Sequence, residues 1–209
     1  MANAYKSAIL SALLCLTLGC NRGGSEAHPL SRDQSASVQP VLVLDDKESY
    51  AVYDALLGEP TTSESGPNRN PLAIQDHTKV GVSCSDLSMT IDLQVLTASH
   101  DFAQQNSVER LLKPGGFDVS RKVEIIPSAE LNRIFADGAK GWMEFRSTYP
   151  AAHGYIQLSA VGFSPGKNFA VVYSAVHCGP LCGAGGFTTL SKSGGVWRKN
   201  PGRRCGWIS

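Results

Sequence analysis

Past Pro150 the chain changes texture. Eleven of its 21 glycines fall between Gly154 and Gly206, where they cut the sequence into short runs rich in β-branched and aromatic residues. This spacing constrains the fold more than any other feature. Parallel strands need crossovers of a dozen residues or more, and the connections here are far shorter. "GYIQLSAVGF" and "FAVVYSAVH" are joined by "SPGKN", whose Pro165-Gly166 suits the centre of a type II turn. "FTTLSK" and "GVWRK" are joined by Ser193-Gly194-Gly195, a hairpin signal, and "CGWIS" supplies one more strand. The second half therefore reads as an antiparallel meander.

The first half reads mainly as helices. Asp45 or Asp46 is positioned to cap a helix carrying Tyr50, Tyr53, Leu56 and Leu57 at helical spacing, with Gly58 as its stop. "EPTTSESGPNRNP" is a loop, and "LAIQDHTKVGVSC" is β-like, with Leu72 and Ile74 on one face. A helix is expected within Thr97 to Leu112, using Phe102, Val108, Leu111 and Leu112 and stopped by "KPGG". Ser128 stands as an N-cap before Leu131, Ile134 and Phe135, and "GWMEFRSTYP" places Trp142, Phe145 and Tyr149 at steps of three and four before Pro150. The fold class is α+β, with N-terminal helices and a C-terminal antiparallel β-meander.

The N-terminus carries an address. Lys6 precedes the apolar run "AILSALLCLTL", Ala8 to Leu18, which is too short to span a hydrocarbon core of about 30 Å and suits a signal-peptide core. The run ends in "LTLGC", a small residue before cysteine as at a bacterial lipoprotein cleavage site, so Cys20 is the expected lipidation site. Thr17 stands where such sites usually carry leucine, and cleavage after Ala27 is the rival. Residues 1–19 are then a signal peptide. Residues 20–40, polar and rich in Gly and Ser, are a flexible tether, because they cannot bury enough apolar surface to offset their ordering entropy. Residues 41–209 form a single α+β domain. With 19 basic and 18 acidic residues the net charge is +1, so nothing favours nucleic acid.

Beyond Cys20 remain Cys84, Cys178, Cys182 and Cys205, an even number in an oxidising compartment and enough for two disulfides. The stretch "HCGPLCGAGG" admits several chemistries. A thioredoxin-type site needs Cys-x-x-Cys opening a helix; here the spacing is one residue longer, Pro180 intervenes, and a β-run follows. A metal site needs three or four ligands, but His177 and Cys178 are consecutive at a strand end and point to opposite faces. "GAGG" lacks both nucleotide-binding fingerprints. A stapled turn is the reading, with Cys178 paired to Cys182 and Cys84 left for Cys205. The alternative pairs Cys84 with a member of the loop, or leaves it a buried thiol.

No residue emerges as catalytic or metal-binding, and no cofactor is implied. His77 follows Asp76 on the expected strand, so the two should face opposite ways and not form a dyad. His100 and His153 sit near element ends, and no GxSxG elbow exists. A Ser-His-Asp site assembled from distant residues stays open. Trp142, Phe145, Tyr149, Trp197 and Trp207 read first as core, and second as the lining of a ligand groove.

The succession "GWMEFRSTYP", "GYIQLSAVGFSPGKNFAVVY", "CGPLCGAGG", "LSKSGGVW" and "WIS" resembles a group of uncharacterised bacterial exported proteins, over residues 128–209, with weaker echoes in "YAVYDALL" and "IQDHT". The resemblance implies secretion and an α+β domain, and brings no catalytic residue. The functional expectation is an exported, lipid-anchored protein of the cell envelope, facing the periplasm or exterior, with a binding or structural domain. Its partners are the membrane, through the lipid, and an unidentified protein or small molecule. The alternative is a hydrolase or a thiol or metal enzyme with a dispersed site.

Overall fold

One eight-stranded mixed sheet organises the chain, in the order β2 (Val123–Ile126), β1 (Leu72–Gln75), β3 (Tyr155–Leu158), β5 (Phe169–Gly179), β6 (Cys182–Ser193), β7 (Val196–Lys199), with β4 (Gly162–Phe163) beside β5 and β8 (Arg204–Ile208) beside β6. The computed structural model describes residues 41–58, 70–138, 140–202 and 204–209, all within one compact unit. The expected signal peptide, tether and Cys20 lie outside the described residues, as does most of the "EPTTSESGPNRNP" loop.

The meander accounts for the C-terminal half. Strands β3 (Tyr155–Leu158) and β4 (Gly162–Phe163) run antiparallel to successive parts of β5 (Phe169–Gly179) and form one interrupted strand. Between them Ser159 stays tied to β5, its backbone N–H donating to Tyr173 O and its Oγ accepting from Tyr173 N. The Pro165-Gly166 turn closes with Lys167 N donating to Ser164 O, and Gly166 takes the φ of +83° that a type II turn requires. Strand β5 pairs along its length with β6 (Cys182–Ser193). Gly194 and Gly195, both at positive φ, turn β6 into β7 (Val196–Lys199). Strand β8 (Arg204–Ile208) then returns to the same edge of β6.

The sheet also reaches into the N-terminal half, where the sequence indicated one strand rather than two. β1 (Leu72–Gln75) runs parallel to both β2 (Val123–Ile126) and β3. A parallel pair needs a crossover, and the long segment between β1 and β2 supplies it with helices α2 (Ser85–Ser88) and α3 (Leu93–Gln105). At four residues, "VEII" is too short to declare itself beside the longer runs.

Strand β5 is buried on both faces, so its residues sort by parity. Ala170 and Val172 pack with Tyr50, Val52 and Tyr53 of α1 (Lys47–Leu57), while Val171, Tyr173 and Ala175 pack with Val95, Ala98 and Phe102 of α3. Farther along the α3 face, Ala73 and Ile126 meet Leu131 and Ile134 of α4 (Ser128–Ile134) and Phe145 of α5 (Gly141–Thr148). Helices thus cover both faces. Helix α1 begins where its cap predicts: Asp46 accepts from Glu48 N, and Gly58 ends the last turn. Glu48 then pins the helix to the sheet by accepting from Lys192 Nζ and Trp197 Nε1, both at 2.6 Å.

Three local expectations are corrected. Helix α3 starts at Leu93, capped by Asp92, and stops at Gln105; Val108, Leu111 and Leu112 lie beyond it. It stops because Asn106 turns its side chain onto Phe102 O and Ala160 O and accepts from Ala160 N. The β-run from Leu72 ends at Gln75 rather than reaching Cys84. Ser128 is the first helical residue, after Pro127, and its hydroxyl serves another purpose.

Candidate functional site

Where β1 ends, Asp76 and His77 leave the strand, so the alternation that would separate their side chains no longer applies. This corrects the expectation that they do not form a dyad. His77 Nδ1 lies 2.7 Å from Asp76 Oδ1, and Ser128 brings both its Oγ (2.5 Å) and its backbone N–H (2.8 Å) to the same oxygen. Burial disfavours charge on Asp76, but the hydrogen bonds from Ser128 and His77 outweigh it and hold the carboxyl below its ordinary value.

An ionised carboxylate can only accept, and that single fact orients a chain of hydrogen bonds across the sheet. Ser128 has one hydroxyl proton and spends it on Asp76. Its Oγ must therefore accept from Gln75 Nε2, 2.9 Å away. Gln75 Oε1 then faces Gln157 and accepts from its Nε2 at 2.7 Å. Gln157 Oε1 is left to accept from His177 Nε2 at 3.1 Å. His177, whose pKa is lowered by burial and then by the nearby Lys79 charge, is neutral near pH 7 and carries its one proton on Nε2. Gln75, Gln157 and His177 occupy β1, β3 and β5 side by side, so the chain runs across neighbouring strands.

These proton positions differ from those of a nucleophilic triad. In a Ser-His-Asp triad the carboxylate holds Nδ1 and the serine meets Nε2. Here both sit on the Nδ1 side of His77, with Ser128 Oγ 3.4 Å from Nδ1, and the Ser128 proton goes to Asp76. Ser128 is therefore not activated by His77. The feature left open is His77 Nε2, which has no hydrogen-bond partner among the described residues, on a side chain 28 % exposed.

The cysteines pair as Cys178–Cys182 and Cys84–Cys205, with Cα separations of 5.0 and 5.7 Å. Cys178 is the last residue but one of β5 and Cys182 begins β6, so "HCGPLC" is the tip of the hairpin. "GAGG" belongs to β6, and its glycines make room for an indole. A Cβ on Gly185 would meet Trp207 Nε1 at 2.5 Å, and one on Gly183 would meet the same ring at 3.1 Å. Trp207 thus lies across the glycines and donates to Tyr173 Oη at 3.0 Å. Phe145 and Trp197 are core, while Trp142 and Tyr149 are half-buried against the α4–α5 cluster.

A cleft of about 1130 Å³ opens between the start of α1, α3 and the β4–β5 turn. Leu44, Leu96, Val161 and Phe163 give it apolar walls, and His100 and Lys167 stand among its polar residues. Lys167 Nζ lies 3.1 Å from Asp46 and 5.0 Å from the Phe163 ring centre. His100 sits within α3 rather than near an element end. Neither the cleft nor the Asp76 chain had a sequence signal beyond Asp76-His77, because both are assembled from distant elements.

No protein-family model, curated protein or solved structure matches the chain.

Proposed function

We propose that this protein is exported, anchored at the cell envelope through a lipidated Cys20, and binds a small amphipathic ligand. The apolar run ending in "LTLGC" supports the anchoring, and the cleft supports the binding: an apolar floor of Leu44, Leu96, Val161 and Phe163 for the ligand's body, with His100 and Lys167 beside it for an anionic end. Asp46 occupies Lys167 in the empty cleft, and an anionic ligand competes for that partner. The probe is 8-anilinonaphthalene-1-sulfonate, which is apolar with one anionic group. It should bind saturably at one site. Leu96→Trp, which fills the cleft from the exposed side of α3, and Lys167→Ala should each weaken binding about tenfold, worth about 1.4 kcal/mol. Equal binding by both variants and the wild type rejects the cleft as the site.

The enzymatic reading survives at one atom. Asp76 fixes His77 with its proton on Nδ1, which leaves a lone pair on Nε2, the arrangement of an oriented general base. Hydrolysis of an ester or phosphoester panel that disappears in His77→Gln favours this reading over the binder.

A further inference from the structure

We propose that the Cys84–Cys205 disulfide is a redox-gated site for a zinc-like divalent cation, completed by Asp86. Cys84 Sγ, Cys205 Sγ and an Asp86 carboxylate oxygen all lie within 4.8 Å of one another. Thiolate–zinc bonds of about 2.3 Å put two sulfurs roughly 3.8 Å apart around a tetrahedral ion, and a carboxylate oxygen completes a three-ligand set with water in the fourth position. Asp86 makes no hydrogen bond or ion pair among the described residues, so no protein partner competes for its carboxylate.

Both cysteines are held in place without the covalent bond. On one side, Leu87 is 2 % exposed and roots α2, which starts directly after Cys84. On the other, β8 stays on β6 through the Phe187↔Arg204, Gly185↔Trp207 and Ala184↔Ile208 pairs. Cys205 lies between those anchors. Breaking the sulfur–sulfur bond therefore leaves two thiols facing each other beside a carboxylate.

The exchange balances. A dithiol reductant gives two electrons and two protons to the disulfide and becomes a disulfide itself, leaving Cys84 and Cys205 as thiols. The cation then displaces both thiol protons and binds the thiolates. Oxidised chain, with its sulfurs bonded to each other, binds nothing there. Metal in turn protects the reduced state from re-oxidation. The proposal is independent of the ligand cleft.

Cobalt(II) alone is the probe, added to the full-length chain after reduction with a phosphine, which offers no thiol to the metal. Thiolate-to-cobalt charge-transfer absorbance should saturate at one equivalent in the reduced chain and be absent from the oxidised chain. Cys84→Ser should abolish it, and Asp86→Asn, an exposed change that leaves both sulfurs in place, should weaken affinity at least about tenfold. Cys178→Ser/Cys182→Ser and Cys15→Ser/Cys20→Ser should leave it unchanged. No saturable signal in reduced chain, a signal that follows the other cysteines, or one indifferent to Asp86→Asn overturns the proposal.

Discussion

Removing each disulfide in turn should separate the two bonds by energy. Cys84–Cys205 closes 121 residues of sequence and Cys178–Cys182 closes 4. In the chain-entropy relation the cost of closing a loop in the unfolded ensemble grows with the logarithm of its length. The long link should therefore stabilise by about 5 kcal/mol and the short one by about 2 kcal/mol. The native-state contacts add to this contrast, since Cys84 packs beside Val82 in the α3 cluster while Cys182 sits on an exposed hairpin tip. The perturbations are Cys84→Ser/Cys205→Ser and Cys178→Ser/Cys182→Ser in oxidised protein, compared by urea unfolding at 25 °C. With a slope of about 2 kcal/mol/M, the midpoint should fall by roughly 2.5 M in the first variant and 1 M in the second. The slope itself should steepen only in the first, because freeing a long loop expands the unfolded chain. Equal losses, or a larger loss from the hairpin tip, would contradict the dependence of the stabilisation on loop length.

Other outcomes follow from single contacts. Gly185→Ala drives a methyl into Trp207 and the Tyr173 hydroxyl, so it should cost about 1–3 kcal/mol and shift the Trp207 indole N–H resonance. In nitrogen-detected NMR at pH 8, His177 should show a protonated Nε2 and His77 a protonated Nδ1; the reverse assignment at either ring breaks the chain that starts at Asp76. His177 has a lowered pKa, so the unfolded chain takes up its proton first. Its contribution is complete above the ordinary value of 6.5 and is lost as pH falls below it. His177→Gln should flatten the stability profile there. Asp46, Glu48 and Asp76 are also lowered, so a second loss should come in stronger acid, below the ordinary carboxyl values of 3.8 and 4.5, and His177→Gln should not remove it.

Much of the fold was legible where local chemistry decides it. Asp46 and Gly58 bracket α1, Pro165-Gly166 and Gly194-Gly195 make the turns their types demand, and β5, β6 and β7 pair as successive hairpins, while β8 skips β7 to pair with β6. Local rules failed where a distant partner intervened. Ser128 looks like a cap because nothing nearby announces that Asp76, 52 residues earlier, takes its hydroxyl. Asp76 and His77 look like opposite faces of a strand only until Asp76 N bonds to Ile126 O and the chain turns away. Helix α3 loses its last expected turn to Asn106 reaching Ala160, 54 residues on. The role of "GAGG" depends on Trp207, which lies beyond a whole hairpin and is visible only in the folded sheet.

The proposed membrane anchoring rests on lipidation of Cys20. Fatty-acid labelling of the native host, combined with membrane fractionation of wild type and Cys20→Ser, decides it. One acyl chain anchors only marginally and two or more hold firmly, so the wild type should carry label and sediment with membranes while Cys20→Ser carries none and is released. An unlabelled wild type, with the same distribution as Cys20→Ser, would rule out Cys20 as the anchor.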